Sequence, residues 1–258
     1  MTTYKGDIGL YLSGAQVPIK SCGVFLTPPT IRDIAQFGED DFLLAVRVAS
    51  ADRGFIVPIK EATPQMEDVP DFQILLSVAE SDDKIKDLLL RFFELVFPDY
   101  KVEIARNMVC FKVGEEEAMK GMINQFNCEE FFYTVKELFW PPQKQEEGFN
   151  PANKKAEEIA RKLEAARRRK QNQEGGGGKS SLFGIYASVI SIGLAVDINV
   201  IYRYTPFQLF DAFNRYMKKS EYDLYMRIKT TPMMDTSKME EQEHWAVNLY
   251  NMQDDNVN

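Results

Sequence analysis

With 258 residues, 45% of them hydrophobic and 27% charged, the chain has the composition of a folded protein that buries a core, which excludes wholesale disorder. Its net charge of −8 is unevenly placed, at −10 over residues 1–152, +5 over 153–173 and −3 over 174–258. That excludes a nucleic-acid-binding face spread across a domain and leaves room for a local basic contact with an acidic partner.

The start, MTTYKGDIGLYLSG, has no charged leader followed by an uninterrupted apolar core, so no signal peptide is expected. Alternation in IGLYLSG and the apolar piece CGVFLT predict one or two short strands. Thr30, after Pro28-Pro29, predicts an N-cap for IRDIAQFG with a glycine stop at Gly38. EDDFLLAVRVAS follows as a helix whose leading acids suit the positive end of the helix dipole. Asp71 is expected to cap FQILLSVAE. Ser81 is expected to cap a stronger helix, whose face of Ile85, Leu88, Leu89, Phe92 and Val96 runs until Pro98.

The period then changes to two in KVEIARNMVCFKV, which predicts a hairpin turning near Arg106-Asn107. Asn127 and Glu130 make a capping-box pattern before a helix with Phe131, Phe132, Val135, Leu138 and Phe139 on its apolar side. From Pro141 to Asn153 the chain reads as a linker. NKKAEEIARKLEAARRRKQNQ then predicts a charged helix with a narrow stripe of Ala156, Ile159, Ala160, Leu163 and Ala166. Its sharper reading is a docking helix, with Ile159, Leu163, Arg167, Arg168, Arg169 and Lys170 as candidate partner-binding residues.

Gln173 to Ser181, QEGGGGKSS, looks like a phosphate-binding loop, but the required first glycine is Gln173 and a polar helix-forming stretch precedes it in place of a buried strand. A flexible joint is the better reading. The apolar run Ser181 to Val196 falls short of the about 20 residues that span a bilayer, so a buried helix capped by Ser181 is expected. Thr205, Pro206 and Gln208 give a strong start signal for TPFQLFDAFNRYMKK, with Leu209, Phe210, Phe213 and Met217 on its buried face. EYDLYMRI is a further helix, residues 231–240 read as loose, and HWAVNLY as a last helix before a polar tail.

The expected fold is therefore mainly α with a minor β component. An α+β N-terminal domain with a short hairpin spans 1–140, a linker with the basic helix and glycine joint spans 141–180, and a small all-α domain with a loose tail spans 181–258. Catalytic, cofactor-binding and metal-binding residues are not expected. His244, the only histidine, lies in a polar stretch without a nucleophile beside it. The acidic pairs Asp82-Asp83, Glu115 to Glu117 and Glu129-Glu130 all fall at predicted helix starts, where the dipole accounts for them. The three cysteines, Cys22, Cys110 and Cys128, have no metal-ligand spacing and an odd number, which points to a reducing compartment; Cys110, in a strand, and Cys128, after a cap, read as small buried or half-buried side chains. Eighteen Phe and eleven Tyr supply contact area.

Two passages carry a resemblance. LTPPTIRDIAQFGEDDF, and then FNPANKKAEEIARKLEAARRRK with SLFGIYASVISIGLAVDINVIYRYTPFQLFDAF, are similar in order and spacing to tail assembly chaperones of long-tailed bacteriophages, over residues 24–45 and 149–228. Thr205, Pro206, Gln208 and Leu209 stand where that family has its threonine-proline-x-glutamine-leucine helix; residues 231–258 lie outside the likeness. The resemblance implies a factor of the host cytoplasm that coats the tape-measure protein and recruits tail tube subunits. Self-association is allowed; nucleic acid, membrane and cofactor are not expected as partners. The alternative is a tail or baseplate component retained in the virion, and a nucleotide-driven motor built on GGGGKS ranks last.

Overall fold

The computed structural model describes residues 3–4, 6–50, 70–105, 108–114, 117–139, 181–231, 241–242, 244–246 and 251–252. Over these the protein is mainly helical with small sheets, as its composition and periodicity predict. The hairpin turn at Arg106-Asn107, the linker, the basic helix and the tetraglycine stretch lie outside the described residues.

Strand β1 (Thr3–Tyr4) is followed by helix α1 (Ile8–Ser13). The strand expected over IGLYLSG is thus a helix, for a physical reason. Asp7 caps it by accepting from the Leu10 amide, Ile8 and Tyr11 bury at a spacing of one helical turn, and Gly14 closes it at φ 67°, a left-handed conformation that favours glycine. Strands β2 (Val17–Ile19) and β3 (Val24–Leu26) form an antiparallel hairpin. Helix α2 (Ile31–Phe37) begins with the expected Thr30 cap, and Asp33 returns a bond to the Thr30 amide at 2.9 Å. Gly38 separates it from α3 (Glu39–Ala49).

Helices α4 (Asp71–Ser81) and α5 (Asp83–Val96) occupy the expected places, but their caps differ. Asp71 is the first helical residue, after Pro70, and not a cap. Ser81 ends α4, and Asp82 caps α5 by accepting from the Lys84 amide. The carboxylate one residue nearer the helix takes that position. The hairpin of β4 (Lys101–Ala105) and β5 (Met108–Val113) gains a third strand, β6 (Ala118–Asn124), in the order β4-β5-β6. AMKGMIN was hidden by its lysine and glycine, residues that β propensity disfavours. Glu117, expected at a helix start, instead lies in the β5–β6 turn at φ 50° and pairs with Lys101 and Lys112.

Helix α6 (Cys128–Phe139) buries Phe131, Val135, Leu138 and Phe139. Its predicted capping box is not formed. The Asn127 amide donates to the Asn124 carbonyl, and Glu130 turns away to accept from the Lys20 and Ser21 amides. Both residues tie the β2–β3 turn to α6 instead, because Asn127 Nδ2 donates to Ser21 O at 3.1 Å.

After the undescribed segment come α7 (Leu182–Leu194), α8 (Ile198–Ile201) and α9 (Pro206–Thr230). Ser181 and Thr205 cap as predicted, the latter in a reciprocal box with Gln208. EYDLYMRI is no separate helix but the continuation of α9, since no glycine or proline breaks the run. Met217, expected inside, is 40% exposed. Of the helix expected over HWAVNLY, residues 245–246 lie in a turn and 247–250 lie outside the described residues; β7 (Asn251–Met252) pairs in parallel with β1, a strand in what read as polar tail.

The parts expected as an N-terminal and a C-terminal domain share buried residues. One buried cluster runs from Tyr11, Phe42 and Phe92 through Phe131 and Phe139 to Phe183, Ile190, Ile201 and Phe207. Phe183 meets Phe42 with ring centres 6.3 Å apart, and Tyr11 meets Phe207 at 5.3 Å. Aromatic side chains reach far enough to merge what linear spacing separates.

Candidate interaction surface

The described parts before residue 140 and after 180 meet along a polar seam as well as an apolar one. The first turn of a helix leaves backbone N–H groups without intrahelical partners. At α2 two of these are taken by the loop after α8: the Ile31 amide donates to Tyr204 O at 2.8 Å and the Arg32 amide to Tyr202 O at 3.0 Å. At α7 the same need is met by Glu39, whose carboxylate accepts from the Ser181 hydroxyl, the Leu182 amide and, at 3.3 Å, the Phe183 amide. Gln208, besides closing its own box, donates to Leu12 O at 2.8 Å and joins α9 to α1. The two sequence passages at 24–45 and 149–228 therefore touch: Ile31, Arg32, Glu39 and Phe42 of one face Tyr204, Tyr202, Ser181 and Phe183 of the other.

Titratable groups in the interior have structural partners. Glu137 is buried and accepts from the Tyr11 hydroxyl at 3.0 Å and the Gly6 amide at 3.1 Å. Burial, then the Glu137 charge, pushes the Tyr11 hydroxyl far above its ordinary value, so it stays a donor. Burial likewise pushes the Cys22 thiol up to about 11 and raises Cys110 and Cys128, the opposite of what a reactive thiolate needs. Cys110 is buried and Cys128 half-buried, in line with their reading as small packed side chains. Asp82-Asp83 and Glu129-Glu130 do sit at helix starts. His244 is exposed and lies against Tyr222, ring centres 5.0 Å apart. Among the described residues no group of His, Cys, Asp or Glu could hold a metal ion, and no helix is long and apolar enough to cross a membrane.

The partner-binding candidates Ile159, Leu163, Arg167, Arg168, Arg169 and Lys170 lie outside the described residues. What the structure adds is an open apolar surface on α7, α8 and α9. Helix α7 buries Phe183, Ala187 and Ile190, but the buried helix expected over Ser181 to Val196 buries this face alone. Opposite it Ile185 is 48% and Ile192 84% exposed, and Leu194, Ile198, Val200, Met217 and Leu224 are exposed beyond them. Gly193 holds α7 close to α9, since a Cβ there would lie 2.3 Å from the Tyr216 ring. The signal was present in sequence: a helix with no polar face has more apolar surface than one core contact can cover.

Compared with family models, with curated proteins and with solved structures, the chain finds no match.

Proposed function

We propose that the protein is a non-enzymatic tail assembly chaperone of a long-tailed bacteriophage, which holds the tape-measure protein in the host cytoplasm and brings tail tube subunits to it. The observation that carries this reading is the open apolar surface of α7, α8 and α9. Exposed apolar side chains carried on neighbouring helices are characteristic of surfaces that bind other polypeptides. A long helical client is recognised by contact area along a groove or ridge, without chemistry. Methionine and leucine at Met217 and Leu224 suit a client whose sequence varies along its length, because such side chains repack readily.

The likeness in order and spacing at 24–45 and 149–228 supplies the client's identity. That those passages pack together supports treating them as one unit. The basic residues Arg167, Arg168, Arg169 and Lys170, with Ile159 and Leu163, add a second contact for an acidic, apolar stretch.

Co-expression with the tape-measure protein tests the proposal: the client becomes soluble and copurifies. A client equally insoluble with and without this chain would sink it. In purified phage particles, mass spectrometry should find the protein absent or far below the copy number of tail subunits. Stoichiometric presence would favour a retained tail or baseplate component.

A further inference from the structure

Helix α9 is seated in the core at its start and then runs on past it. Pro206, Phe207 and Leu209 are buried in its first turn, and Phe210, Ala212 and Phe213 pack on the shared buried cluster. Beyond Phe213 none of its side chains belongs to that cluster or packs on it as an apolar neighbour, although the helix still rises about 25 Å to Thr230. Tyr216 meets α7 at Gly193. Further out, Tyr225 is buried even though it stands apart from the shared cluster. A helix end without core contacts frays, so something local must hold this one.

The tail supplies that hold. The His244 ring meets Tyr222 edge to face at 5.0 Å, Tyr222 meets Tyr225 at 6.2 Å, and Trp245 meets His244 at 5.5 Å. The Ala246 amide donates to His244 Nδ1 at 3.2 Å and so orients the imidazole. Lys229 Nζ donates to the Tyr225 hydroxyl at 3.1 Å; that bond first, and then charges that include Glu241 of the tail, raise its ammonium above the ordinary value. Rings and charge thus make a second, small cluster on the last turns of α9. Beyond it β7 pairs with β1, which leads into Gly6, whose amide donates to Glu137 of α6.

We infer that the tail is a strap: with His244 on Tyr222 and β7 on β1 it holds the distal half of α9 in place, and its release lets that half move apart from the core. Leu224 and Met226 are exposed on the held segment, so the strap positions part of the open apolar surface. A single ring pair changes an equilibrium only several-fold, which makes the hold releasable. The inference goes beyond the chaperone reading and does not require the proposed client.

Hydrogen exchange of the full chain, without client, tests it. His244→Ala should speed exchange of the α9 amides from Lys218 to Lys229 by about 2- to 10-fold and leave those of α5 unchanged. The variant folds, because His244 is exposed. Tyr222→Ala should act on the same amides in the same direction, although alanine by itself favours the helix over tyrosine. The double variant should be no faster than the faster single one, because both remove one contact. Unchanged α9 amides in His244→Ala overturn the inference, and so do equal acceleration in α5 or effects that multiply in the double variant. Each of these results leaves the chaperone reading standing, since solubilisation of the tape-measure protein is measured separately.

Discussion

The two sides of the molecule spend their apolar residues differently. In the part before residue 140, Phe42, Phe92, Phe93, Phe97, Phe111, Phe131 and Phe139 are all buried, and their rings meet tilted or edge to face in a connected series, Phe97 against Phe111 at 4.6 Å and Phe42 against Phe139 at 5.5 Å. In the α7–α9 part, isoleucines and leucines of similar hydrophobicity stand in water, whereas among the described residues before 140 the exposed large apolar side chains are confined to Phe25, Met119 and Phe126, on β3, β6 and the turn after β6. The difference teaches that the first region is organised to be stable and the second is anchored to it, with surface left over for contact. Phe183, Phe207 and Leu209 are the anchor.

The largest effect comes from removing the anchor's seat. Phe42 is fully buried and touches the rings of Phe37, Phe92, Phe139 and Phe183, so it belongs to both regions. Phe42→Ala should cost about 3 to 5 kcal/mol, the transfer term plus the cavity left among rings that cannot all close in. Urea unfolding followed by far-ultraviolet dichroism measures it. A loss below about 1 kcal/mol, the size of an ordinary surface change, would mean the seam is not packed as described.

A smaller loss is expected at the polar half of the seam. Glu39→Ala takes the acceptor from the first turn of α7 and should cost about 1 to 2 kcal/mol, the range for removing a helix cap that accepts from backbone amides. Hydrogen exchange locates the effect: the amides of Leu182 and Phe183 should gain exchange rate while those of α5 do not. Equal acceleration throughout would show that α7 opens only with the whole protein, and would erase the contrast between the regions.

How much of this could be read from the sequence follows from the range of each interaction. Thr30, Ser181 and the Thr205-Gln208 box are local devices closed within three residues, and each lies where its pattern predicts. Glu130 has the same local pattern, yet its carboxylate goes to Lys20 and Ser21, more than a hundred positions away in the chain, and no short-range rule sees that competition. The seam itself was invisible for the same reason. Glu39 read as a dipole residue of α3, which it is, while its second role depends on where Ser181 comes to rest. The exposed side of α7, with Ile185 and Ile192, was half legible: the run Ser181 to Val196 announced an apolar helix, but whether one face or all faces are covered depends on what packs around it. The candidates from Ile159 to Lys170 lie outside the described residues, so the surface found here is a different one.

A smaller effect still is confined to alkaline solution. Burial raises the Cys22 thiol to about 11, above the about 8.5 of an unfolded cysteine. The folded state therefore favours the protonated thiol. Its contribution is present in full below the unfolded value and is lost as pH rises through about 11. Wild type and Cys22→Ala, unfolded in urea between neutral pH and pH about 10.5, should converge in stability as pH rises. Tyr11 is raised in the same direction but is common to both chains, so it cancels from the difference. A gap that stays constant would mean the thiol ionises in the folded protein as easily as in the unfolded one.

The smallest expected effect is the most direct check on the contrast. Ile192→Ala removes several apolar carbons, as Phe42→Ala does, but from a side chain that is 84% exposed in the single chain. At concentrations where the protein is monomeric the change should stay within about ±0.5 kcal/mol, since no buried contact is broken and no cavity is left. Helix propensity even favours alanine over isoleucine slightly. The comparison of the two truncations thus separates apolar surface that holds the fold together from apolar surface that does not. A loss at Ile192 approaching that at Phe42, in dilute monomer, would mean that this side of α7 is covered by the chain's own residues. A client could then reach it only by displacing them.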